Sequence, residues 1–500
     1  MSSVQRSIFF SAAERYASMV LFFVSTAVLS RLLTPEEFGV YAVVMAVVMV
    51  LVTASQEFGG ISFLIQKASL SDDDVRTAFT ITFCLSMIIA ICLYALAHAA
   101  GGLSGFDGLK SGMSVAVLYF MISPFSMTII ALHRRNMQFG VIAICNFAGN
   151  VVMVCVAIAL AVMNYSYLAP IWGMIAGSTV QTACLIATRR DLRIFSPSLS
   201  GYAEIVRFGI YSSGVALINV FSNFAPQFFL ARMLDFAAVG IYSRAINLTQ
   251  VFDKLVTQVI SPVIMPAICA QTNAGADLKR IYLHAISLLT ALHWPFLTFM
   301  AVMAKPIIFI WLGPTWLDVV PLIQLLCFGY LALFAACLTY PVLVAAGSVR
   351  DTLVCSLISL PPSLLIIFIA SFFGVKAVAA STLVTLPFQA GVAIYFISRH
   401  LHLRVPDLVH ATHKSVVVML CSGTVAALCS ALVEYGLIGA LAGILVACIA
   451  TAAAWLAALV VVRHPLLQEL EAPANRVLSV IWRFAGGAPV AAGRADRDVC

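Results

Sequence analysis

Apolar stretches of about 20 residues, the length that crosses the hydrocarbon of a bilayer as a helix, recur along this chain with short polar breaks between them. About fourteen such runs are predicted by that length criterion, near 9–33, 39–62, 78–100, 113–132, 139–163, 168–188, 206–230, 238–266, 281–304, 318–346, 353–373, 376–398, 415–433 and 437–462. The breaks carry turn chemistry, at Thr34-Pro35, Gly101-Gly102, Leu312-Gly313-Pro314 and Ala346-Gly347-Ser348. The pattern predicts an all-α, polytopic integral membrane protein.

A repeat divides the pattern. Arg31-Leu32-Leu33, followed by Gly39 and Tyr41, returns as Arg232-Met233-Leu234, followed by Gly240 and Tyr242, at a constant displacement of 201 residues. Each copy lies between the first two helices of a six-helix block. An even helix count gives both blocks one orientation, so they are expected to stand side by side about an axis along the membrane normal. The expected organisation is an N-terminal lobe over 1–200, a second lobe over 201–400, two added helices over 401–464, and a disordered cytoplasmic tail over 465–500. That tail turns to Ala, Gly, Pro and Arg. Two pseudo-symmetric lobes are typical of alternating-access transporters.

Composition agrees with the bilayer as solvent. Hydrophobic residues make up 62% and charged residues 10%, where soluble domains carry about 25% charged. The net charge of +7 does not point to nucleic acid, because no Lys/Arg-rich tract or aromatic-basic platform is present. The cations sit in the short breaks instead. With the N-terminus in the cytoplasm, roughly twenty Lys and Arg fall on that side and about five opposite, the latter being Arg31, Lys110, Arg232, Lys305 and Lys376. Both termini are therefore expected inside, in a bacterial inner membrane. The first run holds Glu14 and Arg15 and lacks a small-residue cleavage site, so it reads as a retained helix. Most of the 13 cysteines fall inside apolar runs, without a C-x-x-C pair, as packing residues do.

Two loops carry a family likeness. Ser30-Arg31-Leu32-Leu33-Thr34-Pro35-Glu36-Glu37-Phe38-Gly39-Val40-Tyr41 resembles the first-loop signature of bacterial polysaccharide flippases, the Wzx-like branch of the MATE/flippase superfamily. Ile310-Trp311-Leu312-Gly313-Pro314-Thr315-Trp316-Leu317-Asp318, followed by Pro321-Leu322, is similar to that family's loop between helices nine and ten. The resemblance runs from about residue 5 to 460. It implies a V-shaped pair of six-helix lobes and an undecaprenyl-diphosphate-linked oligosaccharide as cargo.

Ionisable groups inside the membrane mark candidate sites, since each costs about 2.5–3.5 kcal/mol at mid-bilayer on insertion scales. Arg15, Arg244 and Lys254 are the cations of this kind. On a helical wheel Arg244, Asn247, Gln250, Lys254, Gln258 and Ser261 share an arc of roughly 120°. The run before carries Asn219, Asn223 and Gln227, and helix five offers Asn146 and Asn150 one turn apart. The inference is a hydrated central cavity with a cationic lining, Arg244 and Arg15 meeting a diphosphate and the amides meeting sugars. Glu57 and Asp253 are candidate sites for a coupling proton or sodium ion. The competing role for the amides is bonding between neighbouring helices, and Gly173-x-x-x-Gly177 and Gly439-x-x-x-Gly443 are expected to pack helices closely.

A flippase for exopolysaccharide or lipopolysaccharide synthesis is thus the expected function. Its expected partners are the lipid-linked oligosaccharide, membrane lipid and the polysaccharide polymerase and export machinery. The sequence shows no P-loop, catalytic triad or zinc pattern, so neither an enzyme nor a cofactor is expected. The alternatives are a multidrug or metabolite cation antiporter of the same superfamily, which needs an embedded acid, and a membrane glycan polymerase or ligase, which usually needs a large outer loop.

Overall fold

The computed structural model describes residues 3–67, 69–99, 107–189, 192–257, 268 and 277–470. Helix initiation follows local chemistry. After α1 (Ser3–Leu32), Thr34 caps α2 (Pro35–Phe58): its hydroxyl accepts from the Glu37 amide while the Glu37 carboxylate accepts from the Thr34 amide, and Pro35 fills the first turn. The N-terminal half continues through α3 (Ile61–Gln66), α4 (Asp72–Ala99), α5 (Asp107–Arg135), α6 (Phe139–Val162) and α7 (Leu168–Ala187). The next half opens with α8 (Tyr202–Met233) and α9 (Phe236–Thr249). Asp235, displaced from Thr34 by the repeat interval, caps α9 by accepting from the Ala238 amide.

Beyond α9 the helix widens into a π turn over Asp253–Thr257. Then come α10 (Leu278–Val302), α11 (Ala304–Trp311), α12 (Val319–Leu331), α13 (Thr339–Ala345), α14 (Val349–Ser371), α15 (Val375–Leu401), α16 (Val405–Glu434) and α17 (Ala440–Val461). No β-strand occurs among the described residues.

Among the described residues, twelve helices are long and apolar enough to cross a membrane. The expected seventh and eighth runs are not among them. The seventh is nonetheless helical throughout as the 32-residue α8. The eighth is helical to the π turn, and its remainder from 258 to 266 lies outside the described residues. The expected run at 318–346 is one of the twelve, Val319–Ala345, and it passes through a 3-10 stretch, Ala332–Leu338, ahead of α13. Pro341 has no N–H to return to a carbonyl four residues back, so the helix tightens there. Residues 465–470, expected to begin a disordered tail, are helical, and 471–500 lie outside the described residues.

One buried cluster crosses from the first repeat to the second. It joins Leu33, Phe38 and Val43 to Leu230, Val239, Tyr242, Trp316 and Leu322. α2 packs along both α8 and α9 and so helps to join the halves. Within the first half, a side chain on Gly173 or Gly177 would collide with the backbone of Met153 or Gly149, which confirms close packing of α6 on α7. The second expected pair is different: Gly439 faces open space, and only Gly443 touches a neighbour, Val433.

Candidate functional site

The loops at one end of the bundle form a closure. A β-carbon added to Gly39 would strike the carbonyl of Phe236, and one added to Gly240 would strike the carbonyl of Pro35. The repeat thus crosses itself backbone to backbone. Over this crossing folds the loop after α11. Trp316, wholly buried, donates its indole N–H to the Ser30 carbonyl at 2.8 Å, and Arg31 donates to the Ile310 carbonyl at 2.8 Å. Trp311 donates to the Phe23 carbonyl at 3.0 Å. The two segments that carry the family likeness are therefore in contact with each other.

Arg244 sits directly beneath this closure. Its guanidinium carbon lies 3.6 Å from the centre of the Phe38 ring and 5.9 Å from that of Trp316, while those rings meet edge to face at 5.4 Å. Among the described residues its Nε is buried without a hydrogen-bond partner. The aromatic faces supply the electrostatic compensation a buried cation needs.

Towards the opposite end lies a cavity of about 810 Å³ between α2, α3, α8, α13, α14 and α15. Glu57, Asn219, Thr339, Tyr340, Arg350 and Gln389 supply much of its polar lining. Ser62 donates to both Glu57 oxygens, at 3.2 and 3.4 Å, and Gln389 donates to the Ser363 hydroxyl at 3.0 Å. Exposed Arg350 and half-exposed Tyr340 stand at its rim. Nearby, Lys67 bonds Asp74 and Glu204, each at 3.0 Å, which ties the first half to the start of α8. Those hydrogen bonds hold the Lys67 ammonium above its ordinary pKa.

The sequence-selected residues divide between these places. Glu57 and Asn219 line the cavity. Arg244 belongs to the closure. Lys254 donates to Asn247 at 3.2 Å and lies over the Phe22 ring at 4.8 Å. Gln250 donates to the Tyr330 hydroxyl at 3.2 Å. Gln227 is buried with Oε1 unpartnered among the described residues, and Asn223 is exposed. Arg15 is half-buried on α1, and Asp253 opens the π turn; both have partners. Gln258 lies outside the described residues. The stripe is thus divided in its contacts, Arg244 to the aromatics of the closure and Lys254 to α1. Asn146 and Asn150 bond Gln181 and Ser18 on neighbouring helices, the helix-joining role. Arg350, Tyr340 and Gln389 were missed, because each belongs to a different run and only the cavity brings them together.

Residues 28–321, more than half of the chain, match the family described as "Polysaccharide biosynthesis protein". The chain belongs to that family. Among curated relatives, an uncharacterized membrane protein in the cps region of Klebsiella pneumoniae is 22% identical over 64% of this chain and 67% of its own length. The lipopolysaccharide biosynthesis protein WzxC of Escherichia coli (strain K12) is 22% identical over 61% and 62%. The succinoglycan biosynthesis transport protein ExoT of Rhizobium meliloti (strain 1021) is 22% identical over 65% of each chain. The chain spans about two thirds of these relatives' length. Solved structures share the fold. The lipid II flippase MurJ in an inward closed conformation superposes with a TM-score of 0.68, at 11% identity, over 86% of this chain and 99% of that one. An inward-facing multidrug resistance MATE family transporter of the MOP superfamily superposes with a TM-score of 0.63, at 14% identity, over 78% and 98%. For this member of the polysaccharide biosynthesis family, the expected all-helical, polytopic architecture is established.

Proposed function

We propose that this chain is a flippase that moves an undecaprenyl-diphosphate-linked oligosaccharide from the cytoplasmic to the periplasmic leaflet of a bacterial inner membrane. The observation that carries the reading is a one-ended pathway: a polar cavity at the end bearing the basic loops, and a sealed crossing at the other. A glycan head group needs amide and hydroxyl partners, which Asn219, Gln389 and Tyr340 supply. Its diphosphate needs a cation, which Arg350 offers at the rim. The polyprenyl tail stays in lipid beside the lobes. Rocking of the lobes then opens the Gly39–Gly240 crossing and closes the cavity. Arg244 meets the diphosphate only after it leaves the aromatic box. Arg15 and Lys254 are further cations offered to the diphosphate as the lobes rock, and Glu57 and Asp253 are acids available to a coupling proton or sodium ion. Both termini face the cytoplasm, where the synthetic machinery delivers cargo, and a polymerase receives it outside. The relatives named for polysaccharide biosynthesis and transport support this reading, as does a neighbour titled a lipid II flippase. The cation-antiporter reading rests on the shared fold alone.

The test is transport of a fluorescent polyprenyl-diphosphate sugar in vesicles containing the purified protein. Arg350→Gln and Asn219→Leu should each lower the rate about ten-fold or more, as loss of a charge-assisted or buried hydrogen bond predicts, at unchanged protein incorporation. Wild-type vesicles that leave the sugar on one leaflet, yet exchange an organic cation for protons, would establish the antiporter instead.

A further inference from the structure

A second polar recess lies away from this pathway, at the basic-loop end of the groove between α10 and α16, with a volume of about 630 Å³. Arg280 and His284 line it from α10, one turn apart, and His410, His413 and Lys414 line it from α16. Its acidic neighbours are already engaged. Asp407 pairs with Lys279 at 2.6 Å and accepts from the Arg404 amide at 2.9 Å. Asp277 caps α10 by accepting from the Lys279 amide at 3.0 Å. Glu469 lies 3.7 Å from His284. Arg280 is exposed and makes no hydrogen bond or ion pair among the described residues. The recess therefore holds an unspent guanidinium, the Lys414 ammonium, which also donates to the Arg463 carbonyl at 3.0 Å, and three imidazoles around room for a small anion.

Its surroundings say which anion. On α16, exposed Val409, His413, Val417 and Leu420 follow one another at about one turn, so His413 belongs to a stripe that is otherwise apolar and outward-facing. An anion held by Arg280, His413 and Lys414 has an apolar track leading directly away from it along the helix. We infer that this groove binds the phosphodiester head group of an anionic phospholipid, whose acyl chains lie along the Val409–Leu420 face of α16. The ammonium of a zwitterionic lipid would meet Arg280 and Lys414 at the same position, so the site discriminates by net head-group charge. The lipid bridges α10 of the second lobe to α16 of the added pair. The inference does not depend on what the central cavity carries.

Native mass spectrometry of the full-length protein, titrated with short-chain phosphatidylglycerol, short-chain phosphatidylcholine or inorganic phosphate, tests it. Phosphatidylglycerol should bind in preference to phosphatidylcholine. The Arg280→Gln/Lys414→Gln variant should lose that preference by about ten-fold or more, Arg280→Lys should keep most of it, and Lys305→Gln at the opposite end should leave it intact. Should the double variant not stay monodisperse, Arg280→Gln alone carries the comparison, since that exposed side chain bonds to none of the described residues. Undiminished phosphatidylglycerol preference in the Gln variants overturns the site. Displacement of the lipid by inorganic phosphate at equal concentration overturns the lipid as its occupant.

Discussion

Gly39 and Gly240 are related by the internal repeat and touch across it: each lies where a β-carbon would strike the backbone carbonyl at the start of the other's helix, Phe236 for Gly39 and Pro35 for Gly240. The contact is reciprocal under the same displacement of 201 residues that relates the two sequence segments. It also makes the crossing sensitive to a single methyl group.

Gly39→Ala or Gly240→Ala should therefore weaken the closure by about 1–3 kcal/mol, the usual cost of overpacking. Alanine favours helix more than glycine does, so membrane insertion should be retained. A Ser30→Cys reporter should label faster with an impermeant maleimide in either variant. Wild-type labelling with normal transport would show that the crossing does not close the pathway.

The aromatic box makes a separate prediction for Arg244. Phe38→Leu keeps an apolar group but removes the π face, worth about 0.5–2 kcal/mol to a cation. If the box holds the closed state, Phe38→Leu and Arg244→Gln should both speed labelling at Ser30→Cys several-fold. If Arg244 acts only on cargo, Arg244→Gln should abolish transport while labelling in both variants stays at the wild-type rate.

His464, just past α17, fastens the added pair to α10. It is almost fully buried, accepts at Nδ1 from the Leu466 amide at 3.1 Å, and points Nε2 at the hydroxyls of Ser287 and Ser415 at 3.3 and 3.2 Å. Burial first, then the charge of Lys414, pushes its pKa from 6.5 down to about 4. The folded value is depressed, so the attachment contributes fully above about pH 6.5 and is lost as pH falls towards 4. Thermal unfolding of the purified protein should drop across that window, and His464→Gln should flatten the drop. An equal slope in the variant would assign the acid sensitivity elsewhere.

The expected orientation rests on the distribution of loop cations. A reporter fused after Arg193 should read cytoplasmic, and one inserted within Gly313–Trp316 should read periplasmic. The same side for both would require a different pairing of loops and a different helix count between them.

The sequence by itself determined the solvent, the helical class and the repeat, because these rest on local or periodic properties: run length, turn residues and a fixed displacement. It also marked the two loops, 30–41 and 310–318, that prove to be joined through Trp316 and Ser30. The wheel at Arg244 and Lys254 could place charges on a face but not say what that face meets. The π turn at Asp253–Thr257 interrupts the ideal periodicity, and the aromatics around Arg244 come from two distant segments. The cavity is legible only in the fold for the same reason. Glu57, Asn219, Arg350 and Gln389 lie on four separate helices, and no pattern along the chain encodes how helices far apart in sequence pack; close packing between helices, shown at Gly39 and Gly240, decides it.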